Sequence, residues 1–108
     1  MNHDPLLGLL GLGARAGRVT MGVDGTRAAL QRDECRLVVL ASDASPRAIE
    51  KVVRLARAKG ATLLTGPVAE TLGNRMGRPP MMVAGVKDRA LARGILAAVH
   101  AVTGPDGG

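Results

Sequence analysis

The stretch "GARAGRVTMGVDGTRAAL", Gly13 to Leu30, places several glycines and three arginines in one short span. Glycine lets a ligand approach the backbone closely, and arginine attracts anions. The span ends in a helix-like run, and Asp24 reads as the N-cap of that helix. The amides of Gly25, Thr26 and Arg27 are then expected to lie free at a positive dipole end, which makes an anion site. Gly22 and Val23 form the turn, and Arg15, Arg18 and Arg27 surround it. A tight turn with ordinary capping explains the same residues about equally well. A second cluster is "GNRMGRPP", in which Gly73 and Gly77 bracket Arg75, followed by Arg78, Pro79 and Pro80. A helix-ending glycine accounts for part of it.

Other chemistry is sparse. Cys35 precedes the apolar run "RLVVLA" and reads as a buried structural thiol. A single cysteine forms no disulfide framework or cysteine metal cluster within the chain. His3 and His100 lie near opposite ends, which argues against a shared metal site. No nucleophilic triad, P-loop, His-Glu-x-x-His or paired carboxylate spacing is present. Asp43 follows a strand, where it reads as closing a turn with Ser42 and Ser45. "GLGARAG" approximates the dinucleotide-binding glycine pattern, with Asp33 or Glu34 further on, but no strand precedes it. The expectation is no catalysis and no cofactor.

The chain that must position these residues has 108 of them, 46% hydrophobic and 22% charged, which suits one globular domain. Its net charge is +6 and its pI about 11.1. That balance favours nucleic acid first and an anionic membrane second as partner. The aromatic content is 0%, which argues against modules that read single strands by stacking bases on rings. The leading "MNHDPLLGLLGLGARA" holds Asp4 and no basic residue before its apolar run, unlike a signal peptide. No run approaches a membrane span. The expected location is the cytoplasm.

The patterning predicts alternating helices and strands. A first helix runs from Pro5 to Ala16, with Asp4 as N-cap, and Arg18–Met21 is extended. A second helix reaches about Arg32, and Arg36–Ala41 is a buried central strand. Ser45 caps a third helix that Pro46 starts and Lys59 ends, with Ile49, Val52, Val53 and Ala56 inward. Arg47, Lys51 and Arg54 form its solvated face. "ATLLT" and "PMMVAGV" are strands on either side of a helix from Pro67 to Gly77. A last helix spans Asp88 to about Val102, and residues 103–108 form a flexible tail. This is an α/β fold with helices on both faces of one sheet, a single domain over residues 1–102.

The frame "LLGLGARAGRVTMGVDGTRAAL … CRLVVLASDASP … KGATLLTG … ETLGNRMGRPP … MVAGVKD" resembles the ribosomal protein L-seven-Ae / L-thirty-e family, closest to its small bacterial YlxQ-like branch. The match runs from about Leu6 to Ala101. The resemblance implies a three-layer α/β/α sandwich with a mixed, four-stranded sheet. It implies a non-catalytic protein that binds structured RNA at a kink-turn, works in the cytoplasm with the ribosome or translation factors, and is a monomer. In that family the turn before the second helix enters the RNA groove, and the loop after the fourth helix covers a flipped-out nucleotide. Both glycine-basic clusters fall there. Gly22 matches the family glycine. Asp24 and Gly25 stand where RNA-binding members carry a polar pair, Thr26 matches a frequent threonine, and the family's basic residue falls on Ala28, with Arg27 beside it. Arg36 matches a basic position before the strand, Asp43 an acidic one after it, and Arg78 an arginine of the covering loop. Arg18, Arg27, Arg75 and Arg78 are the expected phosphate contacts. The alternatives are a protein-interaction module on the same fold and, third, a nucleotide-binding enzyme built on "GLGARAG".

Overall fold

The computed structural model describes residues 5–103. The sequence-based expectations for Asp4, His3, the His100 side chain and residues 104–108 fall outside the described positions. The elements are α1 (Pro5–Arg15), β1 (Val19–Met21), α2 (Gly22–Gln31), β2 (Leu37–Leu40), α3 (Pro46–Lys59), β3 (Thr62–Thr65), α4 (Ala69–Arg75), β4 (Val83–Val86) and α5 (Arg89–Thr103).

Four strands form one mixed sheet in the order β1-β4-β2-β3. β2 pairs parallel with β3, while β4 runs antiparallel to both β1 and β2. The central strands are those with continuous apolar runs. Leu37, Val38, Val39, Val83, Ala84 and Val86 are all fully enclosed, as strands covered on both faces must be. The edge strand β3 instead exposes Thr62 and Thr65. One core lies between the sheet and α1, α4 and α5, and contains Leu6, Leu10, Leu72 and Ile95. The other lies under α2 and α3, and contains Leu30, Cys35, Val52 and Ala56. The result is the three-layer sandwich that the sequence predicts.

The helix ends explain where the chain turns. Ser45 Oγ accepts from the Ala48 amide at 3.2 Å, and Pro46 takes the first helical position, as expected. The first four helices all end on the same paired backbone bonds. In α4 these are Gly77 N–H to the Asn74 carbonyl and Arg78 N–H to the Gly73 carbonyl. The residue that closes each is left-handed: Gly17, Asp33, Gly60 and Gly77. Gly77 is therefore a helix stop.

Several boundaries differ from the sequence reading. α4 starts at Ala69, because Val68 is extended and serves as its N-cap. β4 starts at Val83, since Met81 and Met82 are taken up by loop contacts. Ile49 is 38% exposed, because Ala48, Val52 and Ala56 form the buried line of α3. "GLGARAG" lies largely within α1, and Gly13 packs under Leu91 and Val19. A dinucleotide fingerprint needs a strand and a loop at that point, so the nucleotide-enzyme alternative loses its motif.

Cys35 is a buried free thiol that donates to the Leu37 carbonyl at 3.4 Å. Burial pushes its pKa up from the usual thiol value, against opposing effects of backbone hydrogen bonds and Arg36. That makes it a packing residue and a poor nucleophile at neutral pH.

Candidate nucleic-acid interface

β1, β2 and β3 all run in the same direction, so the helices that follow them all begin at one end of the sheet. Three positive dipole ends therefore gather there. Two are already occupied by side chains. Ser45 caps α3, and Asp43 Oδ1 accepts from the Ala69 amide at 2.7 Å and caps α4. The sequence pairs Asp43 with the nearby serines; its actual partner is 26 residues away. Such a cap stabilises by about 1 kcal/mol.

α2 is different. Its N-cap is Met21, which offers no capping side chain. Gly22 has φ +87°, so the chain turns into the helix at once. The helix thus begins earlier than an Asp24 cap would place it. Asp24 lies inside the first turn, and the unpaired amides are those of Gly22, Val23 and Asp24 rather than those of Gly25 to Arg27. Those amides and the helix dipole give this edge a positive partial charge, with the Asp24 carboxylate beside it.

Two loops adjoin this edge. The Ala41 amide donates to the Met82 carbonyl at 2.8 Å, and the Ser45 amide reaches Met82 Sδ at 3.4 Å. The Met81 amide donates to the Ala69 carbonyl at 3.0 Å. The Pro79–Met82 segment is thereby held against the Asp43 turn. Arg78 lies at its start, exposed and without an ion-pair partner among the described residues. Arg47, in the first turn of α3, is also exposed at this end. The sequence pattern places Arg47 on a solvated face of α3. Its place directly after the Ser45-Pro46 helix start is the signal that puts it at the end shared with α2.

The structure brings Gly22, Val23, Asp24, Gly25, Asp43 and Pro79 to this end, with Arg78 close by. It puts other candidates elsewhere. Thr26 is fully enclosed, with its hydroxyl 2.9 Å from that of Thr20, so its side chain presents nothing to a ligand. The Arg27 guanidinium donates to the Lys51 carbonyl and braces α2 against α3. Arg75 lies across α1, over Gly8 and Gly11, with Nε 3.4 Å from the Leu7 carbonyl. Arg18 and Arg36 lie at the opposite end of the sheet, beside the end of β4. Among the described residues no cluster of three or more metal-ligating side chains occurs, and no helix is long and apolar enough to cross a membrane.

Fold and helix-end geometry together define a class, and the family model of the ribosomal protein L7Ae/L30e/S12e/Gadd45 family matches residues 5–96. The chain belongs to that family. None of the curated proteins matches it. Among solved structures it is similar to a protein of unknown function from Bacillus halodurans. The two share 29% identity over 90% of this chain and 98% of that one, with a TM-score of 0.83. It also shares its fold with the 15.5kD RNA binding protein of Giardia lamblia. There the identity is 23% over 95% of this chain and 91% of that one, with a TM-score of 0.76.

Proposed function

We propose that this chain is a non-catalytic RNA-binding protein that holds a structured, sharply bent RNA of the kink-turn kind. Its place is the YlxQ-like bacterial branch of the family, in the cytoplasm, as a monomer acting on ribosomal or other translation-linked RNA. One observation carries the reading: of the three helix N-termini gathered at one end of the sheet, only that of α2 has no side-chain cap among the described residues. Its free amides suit phosphate and sugar oxygens, which a backbone edge recognises by shape. The Pro79–Met82 loop suits a nucleotide that leaves the stack. Family membership and the fold shared with the Giardia protein support the same reading. No aromatic ring is needed for it, and the chain has none.

Among the described residues, Arg47 and Arg78 are the cations of this end that make no ion pair. The double substitution Arg47→Glu/Arg78→Glu is expected to weaken binding of a kink-turn RNA at least tenfold in a mobility-shift titration, with an unchanged thermal melt. Both side chains are exposed, so the fold tolerates the change. Equal affinity in the variant would remove this end of the molecule from the account.

A further inference from the structure

The positive charge of the chain is not concentrated at the α2 end. There Asp24 and Asp43 offset Arg47 and Arg78, while a separate basic row crosses the other end of the sheet. Val19, Val86 and Leu37 lie side by side on β1, β4 and β2. The residues one step beyond them, at that end, are Arg18, Lys87 and Arg36. Backbone bonds fix this alignment: the Lys87 amide donates to the Arg18 carbonyl at 2.9 Å, and the Arg36 amide to the Val86 carbonyl at 2.7 Å. Val19, Val86 and Leu37 face the α1, α4 and α5 core, and the three basic residues follow them at the rim of the sheet.

Like charges on neighbouring strands repel, and Lys87 has one on each side. Carboxylates relieve little of this. Asp88 pairs with Arg18 at 3.1 Å and also caps α5 through the Leu91 amide. Asp33 and Glu34 pair with Lys59 and Arg32. Among the described residues Arg36 and Lys87 make no ion pair, and neither do Arg15 and Arg89 on the flanking helices α1 and α5. Two strand neighbours therefore carry like charges with no carboxylate between them. A row of phosphates, spaced at several ångströms along a nucleic-acid backbone, would neutralise it.

We infer that the Arg18–Lys87–Arg36 row is a second phosphate-binding surface, which takes the backbone of a plain RNA duplex without regard to sequence. The protein then holds two RNA segments at opposite ends of its sheet, a bent one at α2 and a stem at the basic row. This rests on the reading of the chain as an RNA binder. Neither Arg36 nor Lys87 belongs to the α2 end, so the two surfaces separate by mutation.

The test is a mobility shift in which protein saturated with unlabelled kink-turn RNA is titrated with a labelled plain duplex. The wild-type complex is expected to capture the duplex in a slower band. Arg36→Glu/Lys87→Glu should lose that capture about tenfold or more and flatten its log–log salt slope by about 1.5 to 2, as for two phosphates. Its kink-turn affinity should stay unchanged. The neutral pair Arg36→Gln/Lys87→Gln, which keeps polar side chains at the strand ends, should show a smaller loss in the same direction. Wild-type protein that shifts the kink-turn RNA and never the duplex overturns this inference alone, as does undiminished capture by both variants. Wild-type protein that captures the duplex through Arg36 and Lys87 but ignores the kink-turn RNA upholds it and overturns the α2 reading.

Discussion

Replacing Gly73 with alanine is expected to cost about 3 kcal/mol of folding stability, the upper end of the overpacking range. Gly73 lies on the buried side of α4, where the chain returns along the helix after Gly77. A Cβ at this position would lie 2.8 Å from the Pro79 carbonyl carbon and 3.1 Å from the Arg78 carbonyl oxygen, and closer still to the Pro79 oxygen. All three are backbone atoms, so no side chain can rotate out of the way. Pro79 and Pro80 stiffen the segment, and its far end is tied by the Met81 amide to Ala69. The strain must then either unfold α4 locally or push the 78–82 loop off the sheet end. Chemical denaturation of Gly73→Ala measures the first. A loss of RNA affinity beyond that of equally destabilised core variants measures the second. A cost below about 1 kcal/mol would mean that the loop is not packed as described.

Raising the salt from 50 to 200 mM is expected to weaken RNA binding about 15- to 250-fold. This follows from three to five neutralised phosphates, which give a log–log slope of about −2 to −4. The free amides of α2 contribute little to this slope, because neutral groups carry no net charge to displace the counterions condensed on the RNA. Most of it therefore comes from guanidinium and ammonium groups. Arg47 and Arg78 serve the α2 end, while Arg27 is held by the Lys51 carbonyl and Arg75 lies along α1. A slope near zero would exclude phosphate contacts as the source of affinity and favour a protein partner. Titrations at several salt concentrations on one RNA decide it.

The three-layer architecture was readable in the sequence for definite reasons. "RLVVLA" is apolar without alternation, which only a strand covered on both faces requires. Ser45-Pro46 and Gly60 mark the two ends of α3 by capping chemistry alone. The glycine turn into α2 was readable too, because Gly22 and the helix-like run after it announce it. Its details were not. The left-handed Gly22 moves the start of α2 ahead of Asp24, and a dihedral angle leaves no trace in residue type. Asp43 spends its carboxylate on a helix that starts 26 residues later, which only the packed fold reveals. Most of all, sequence proximity places Arg18 beside Gly22 and Arg36 near Asp43. Short strands carry the two arginines to the far end of the sheet, and antiparallel β4 places Lys87 between them. Strand direction, a long-range property, divides one apparent basic cluster into two surfaces.

The measurement that bears most directly on the account is a mobility-shift titration of pure protein against a kink-turn RNA and a plain duplex of equal length, at near-physiological salt. Binding to both is expected, with clear preference for the kink-turn RNA if the amides of Gly22, Val23 and Asp24 hold a bent backbone. Equal, weak binding to both would confine RNA recognition to charge and remove the α2 end from it. No binding to either would contradict the account and leave the exposed sheet end to a protein partner.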